Sequence, residues 1–181
     1  LIYFYLGLIY SELNNYEKGI FYYNKYLEFD PNSKNTLLNI AILKQSSGEI
    51  DVAKNIYLKL IDIDQNNIRP YFGLSLININ FLTENYLKNI NEIKKNITSN
   101  LHEKSLVDYI LSKIEKKNKN YESEIRHLNN FNKNSYNSNY TYNQSSQFYY
   151  KQIIGNHYNK IKFKKIIQNL KNEMSPIFII G

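Results

Sequence analysis

The sequence predicts an all-α fold: a right-handed solenoid of helical hairpins, followed by two further C-terminal helices and a short terminal strand. Three observations predict it. Small and aromatic residues recur at an interval of about 34 positions, turn residues fall between the recurrences, and apolar residues inside each interval keep helical spacing. In the first interval Tyr3, Leu6, Gly7 and Tyr10 precede Gly19, Tyr23, Tyr26 and Pro31. Leu37, Ile40, Ala41, Ala53, Tyr57 and Leu60 take the equivalent places in the second, and Tyr71, Leu74, Ser75 and Leu87 in the third. The spacing has a physical reason. A small residue at Gly7, Ala41 or Ser75 lets the second helix of a hairpin cross close to the first, and Gly19 or Ala53 meets that crossing from the other side. Tyr23 and Tyr57 then fill the space toward the next hairpin.

Each element follows in order. Asn14-Asn15 and Ser47-Gly48 are turns inside the first two hairpins. Asp30-Pro31-Asn32 ends the first hairpin, because proline cannot continue a helix and Asn32 or Ser33 can cap the next one. Asp64-Gln65-Asn66-Asn67 replaces that proline after the second. The third hairpin is degenerate: its second helix, residues 85–98, carries Asn91 and Lys94 where bulk is expected. A fourth hairpin begins with a stripe of Leu106, Ile110, Leu111 and Ile114. Lys119-Asn120-Tyr121-Glu122 then echoes Asn14-Asn15-Tyr16-Glu17, and Ile125, Leu128 and Phe131 continue its second helix. The array therefore occupies residues 1–131, with its repeats decaying toward one end as terminal repeats do. Residues 132–144 are polar, lack a core pattern and read as a linker. Residues 145–175 read as linker helices, one using Phe148, Ile153 and Ile154, the other a basic helix using Phe163, Ile166, Ile167 and Leu170. Pro176 interrupts them, and Ile177-Phe178-Ile179-Ile180-Gly181 reads as a buried strand, the first of a truncated α/β domain over residues 176–181. The alternative is a hydrophobic tail that caps the last helices.

Composition narrows the chemistry. There is no cysteine, which excludes disulfides, thiolate catalysis and cysteine-based zinc sites. His102, His127 and His157 lie far apart without ligand spacing, so no metal site is expected, and no set of catalytic side chains stands out. The net charge of +7 accompanies a sequence rich in Asn, Lys, Ile and Tyr throughout, the usage of an AT-rich genome. The charge is thus read as solvated faces, with nucleic acid not expected as a partner and a membrane surface disfavoured. No apolar run reaches the length of a membrane span. The chain starts at Leu1 and stops at Gly181 directly after an apolar run, and both ends read as cuts in a longer protein.

The small–aromatic spacing of Gly7, Gly19 and Tyr23, repeated at Ala41, Ala53 and Tyr57, resembles the tetratricopeptide repeat. That resemblance implies a concave wall lined by the first helix of each hairpin: Phe4, Leu8 and Ser11, then Leu38, Ile42 and Gln45, then Phe72, Leu76 and Ile79. The partner-binding groove, Phe4, Leu8, Leu38, Ile42, Phe72, Leu76 and Ile79, is apolar, whereas chaperone-binding members place basic and amide residues there to grip a terminal carboxylate. An apolar peptide or helix is one expected occupant. Another part of the same protein, such as a downstream catalytic domain, is the other.

The strand-like ending Pro176-Ile177-Phe178-Ile179-Ile180-Gly181 after such repeats resembles bacterial proteins in which tetratricopeptide repeats precede a sulfotransferase domain. The resemblance implies a cytoplasmic enzyme that transfers sulfate from 3′-phosphoadenosine 5′-phosphosulfate. Gly181 would start the phosphosulfate loop, and no catalytic residue lies within this chain. The competing expectation is a free-standing scaffold for partner proteins, with no enzyme attached.

Overall fold

The computed structural model describes residues 1–154, and no strand occurs among them. The chain divides into two units, Leu1–Ser138 and Asn139–Gly181. The first contains α1 (Ile2–Glu12), α2 (Tyr16–Leu27), α3 (Lys34–Ser46), α4 (Ile50–Ile63), α5 (Ile68–Ile77), α6 (Glu84–Asn96), α7 (Leu101–Lys117) and α8 (Tyr121–Ser138). They pair as hairpins in chain order. Successive hairpins stack through α2 on α3 and α4 on α5, while α5 also packs on α3 and α7. This is the all-α solenoid that the periodicity predicts.

Three of the four intra-hairpin turns close in one way. Asn14, Gly48 and Lys119 occupy the left-handed region, with φ of 55°, 86° and 59°. In each case the next residue's N–H reaches back into the helix: Asn15 to the Tyr10 carbonyl (2.9 Å), Glu49 to Lys44 (2.8 Å) and Asn120 to Glu115 (2.9 Å). The left-handed residue itself donates to the carbonyl three positions back, to Ser11, Gln45 and Lys116. These are paired C-terminal caps that satisfy the carbonyls left open at a helix end. Helix starts use amide and hydroxyl caps: Asn15 accepts from the Lys18 N–H, Asn67 from Arg69 and Asn100 from Glu103. Ser33 stands at the α3 start, as expected, but its hydroxyl accepts from Thr36 Oγ1 (2.8 Å) instead of capping.

Packing at the crossings follows the small–aromatic logic. A Cβ at Gly7 would run into the Tyr23 ring, one at Gly19 would press on Leu43 Cδ1, and one at Gly73 would run into the Tyr57 ring. Tyr23, Ala41, Ala53, Tyr57 and Tyr71 are at most 1% exposed. Their hydroxyls find partners, as buried phenols require: Asn39 donates to Tyr23, Tyr57 donates to Gln45, and Tyr71 accepts from Asn89 while donating to the Gln65 carbonyl.

The third hairpin departs from the pattern. Leu87 stands where Gly19 and Ala53 allow close approach, and α6 touches α5 and α7 only lightly. Ile90, Ile93 and the Tyr86 ring, set edge-on to Tyr71 at 5.7 Å, bridge the wider gap. The turn differs too. α5 stops at Ile77, Asn78 is extended, and a single 3-10 turn spans Ile79–Phe81.

The expected linker at 132–144 is a correction. α8 runs on to Ser138, and α9 spans Tyr140–Phe148. The helix persists because its inward side chains, largely polar, find partners on α7. Phe131 meets the Tyr109 ring at 5.3 Å, while His127 and Asn134 both bond to Asp108 on α7. Residues 127, 131 and 134 keep helical spacing, so a search for apolar periodicity passes over them.

In the second unit, α9 begins earlier than the helix expected at 145, and a π-helical stretch follows over Tyr149–Ile154. The remaining expectations there, the basic helix around Phe163–Asn172 and the strand over 176–181 with Gly181, lie outside the described residues.

Candidate functional site

A groove of about 560 Å³ opens beside α3, α5 and the start of α7. Its apolar lining comes from Leu38, Ile42, Phe72, Leu76 and Leu106. Helix geometry sets the alignment. Leu38 and Ile42 are four residues apart on α3, as are Phe72 and Leu76 on α5, so each pair stands on one face. Ile42 and Leu76 are 47% and 46% exposed, large apolar side chains left open where their neighbours are covered. Leu38 is buried at the floor.

The structure divides the predicted wall. Leu38, Ile42, Phe72 and Leu76 share the groove, with Gln45 beside them. Phe4 and Leu8 pack instead on the smaller core cluster of Tyr23, Ile40 and Leu43, and the Phe4 ring sits 5.8 Å from that of Tyr23 and 5.6 Å from that of Tyr26. Ser11 turns back to its own helix and donates to the Gly7 carbonyl at 2.6 Å. Ile79 is carried off the α5 face by the 3-10 turn and packs on the main core.

Polar groups hold the groove's shape. The Tyr57 hydroxyl at its base donates to Gln45 Oε1 at 2.9 Å, and burial pushes that phenol up to about 12. Tyr57 therefore stays neutral and works as a fixed donor. Burial also raises Tyr23 and Tyr71. Arg69 and His102 join the lining, and no carboxylate does. Neither was legible as a groove residue. Arg69 lies before the aromatic position from which the wall is counted, and His102 opens α7, a helix whose repeat pattern is weak. The lining has no nucleophile paired with a base. It offers apolar contact, amides and a cationic edge, which suits binding rather than bond making.

Comparison with known proteins accords with this architecture. Residues 1–33 and 35–67 each match the tetratricopeptide repeat family, so α1–α2 and α3–α4 are tetratricopeptide hairpins. Such hairpins serve as protein-interaction scaffolds. The chain is similar to the Sol locus transcriptional repressor of Clostridium acetobutylicum, 31% identical over 74 residues, which is 41% of this chain and 23% of that protein. It is also similar to the uncharacterized protein ycf37 of Guillardia theta, 34% identical over 62 residues, 34% of this chain and 35% of the relative. Both alignments thus span a minor part of the curated relative. Among the described residues, no helix is long and apolar enough to cross a membrane.

Proposed function

We propose that this chain is a protein-interaction scaffold whose groove between α3, α5 and α7 seats an apolar segment of a partner protein. The observation that carries the reading is the lining itself. Ile42 and Leu76 stand half exposed over a floor of Leu38, Phe72 and Leu106, on two first helices of a repeat array. Burying such side chains stabilises a complex by about 1.5–3 kcal/mol each when burial is complete. Panning a displayed library of short random peptides against the protein tests the site. Enriched sequences should carry Leu, Ile or Phe at helical or alternating spacing, and Ile42→Asp should weaken their binding about tenfold or more. Enriched peptides that bind Ile42→Asp and Leu76→Asp as tightly as the parent protein would sink the assignment.

The finer reading is that the scaffold is the N-terminal repeat region of a sulfotransferase. Its donor would be 3′-phosphoadenosine 5′-phosphosulfate, held by a loop that starts at Gly181. The apolar, strand-like sequence Ile177-Phe178-Ile179-Ile180-Gly181 following the repeats supports this. In that arrangement the groove's occupant is either a partner peptide or the protein's own catalytic domain. The parent gene beyond Gly181 decides: an Arg-Ser-Gly-Thr-like loop is expected, and its absence removes the enzyme. Purified residues 1–181 are expected to show no phosphosulfate turnover. The second reading is a scaffold with no enzyme attached, which the repeat hairpins support by themselves.

A further inference from the structure

The groove between α3, α5 and α7 is not uniform. Its lining includes two side chains that can carry positive charge, Arg69 and His102, and no carboxylate. Each stands in the first turn of its helix, Arg69 on α5 and His102 on α7. By helical spacing Arg69 shares a face with Phe72 and Leu76, and His102 with Leu106. Both residues are exposed, and no ion pair among the described residues reaches either. Asp64 and Glu103 border Arg69 in a separate polar opening, where Asp64 already accepts from Lys34 Nζ at 2.8 Å. Arg69 therefore brings to the groove a charge that nothing in the lining answers. Leu76, left half exposed, lies seven residues further along α5, about 10 Å by the rise of a helix.

We infer that the groove's partner is an apolar protein segment carrying an Asp or Glu side chain about 10 Å from its apolar anchor, the carboxylate at Arg69 and the anchor at Ile42 and Leu76. This rests on the groove reading above and adds a charge requirement to it. The arginine offers a planar fork that a carboxylate fills with two parallel hydrogen bonds, and the His102 ring donates an N–H in either protonation state. A helical segment covers the distance in about seven residues and an extended one in about three. The occupant belongs to another protein because residues 155–181 of this chain are themselves basic. Lys160, Lys162, Lys164, Lys165 and Lys171 stand there against Glu173 alone, and like charge beside Arg69 disfavours that stretch.

Peptides enriched by panning on the full chain test this, each made with acetylated and amidated ends so that side chains alone carry charge. They should hold Asp or Glu at one of those two spacings from a Leu, Ile or Phe. By fluorescence anisotropy, replacing that acid with its amide should weaken binding about fivefold, and added salt should shrink the difference. In Arg69→Gln, which alters an exposed side chain with no ion-pair partner, the acid and amide forms should bind alike. Ile42→Asn changes no charge and should weaken both forms together. Acid and amide forms that bind the parent chain equally overturn the inference while leaving the apolar groove standing. A preference for the acid that persists in Arg69→Gln does the same. Peptides that bind Ile42→Asn as tightly as the parent, or a panning that enriches none, remove the groove reading itself and this inference with it.

Discussion

In α1–α4 the helices meet over Gly7, Gly19, Ala41 and Ala53, with Tyr23 and Tyr57 filling the space between them. In α7–α8 they meet through Asp108, with His127 and Asn134 opposing, and through the rings of Tyr109 and Phe131. The first arrangement relies on volume. Rings and small residues interlock, and any side chain of the wrong size is felt. The second relies on direction. The Asp108 carboxylate is 10% exposed at its side chain, accepts from His127 Nδ1 at 2.8 Å and from Asn134 Nδ2 at 3.3 Å, and orients α8, a helix with no fully buried residue. One chain thus uses two ways to close a hairpin, and in the second each polar contact gives back much of its gain in desolvation.

That contrast can be broken at three points. Tyr57→Ala should have the largest effect, a loss of about 3–5 kcal/mol in urea denaturation, since the ring fills the space above Gly73 and cannot be replaced by collapse. A loss below about 1 kcal/mol would mean that volume is not what holds these hairpins. Asp108→Ala should cost about 1–3 kcal/mol by stripping His127 and Asn134 of their shared acceptor. Hydrogen exchange sharpens this case: amides of α8 should lose protection while those of α1–α4 keep theirs. Equal loss in both regions would show one cooperative array rather than two kinds of closure.

The smallest effect is expected at Lys34, which binds Asp64 at 2.8 Å across the ends of α3 and α4. The hydrogen bond from Lys34 holds the Asp64 carboxyl below its ordinary value. A carboxyl depressed by folding adds stability above its unfolded pKa and loses that addition as pH falls through the folded value. Lys34→Ala should therefore cost no more than about 1 kcal/mol at neutral pH, because both side chains are partly exposed. Denaturation midpoints of parent and variant should converge well below about pH 4. A gap that persists at low pH would show that Lys34 acts through packing instead.

The first two hairpins were legible because their signal is a pattern of size. Gly7, Gly19 and Tyr23 recur as Ala41, Ala53 and Tyr57, and nothing outside the repeat is needed to place them. Leu38, Ile42, Phe72 and Leu76 could be placed beside one another only from the tetratricopeptide resemblance, since they sit on regular helices. Ile79 could not, because the early stop of α5 at Ile77 breaks the count. The length of α8 was hidden for a different reason. Its inward positions at His127 and Asn134 are polar, and their burial value appears only once Asp108 faces them. Arg69 shares the α5 face of Phe72, Gly73 and Leu76 at helical spacing but lies ahead of the position from which the wall was counted, whereas His102 reached the groove from α7, which local spacing does not encode.

The thin seating of α6 has a mechanical consequence. A repeat array responds to load like a row of springs in series, and the softest member takes most of the strain. Leu87 stands where Gly19 and Ala53 allow close approach, and α6 touches both neighbours lightly while α5 packs directly on α7, so α6 is the least firmly held helix of the array. Under load α6 would yield before the closely packed hairpins α1–α2 and α3–α4.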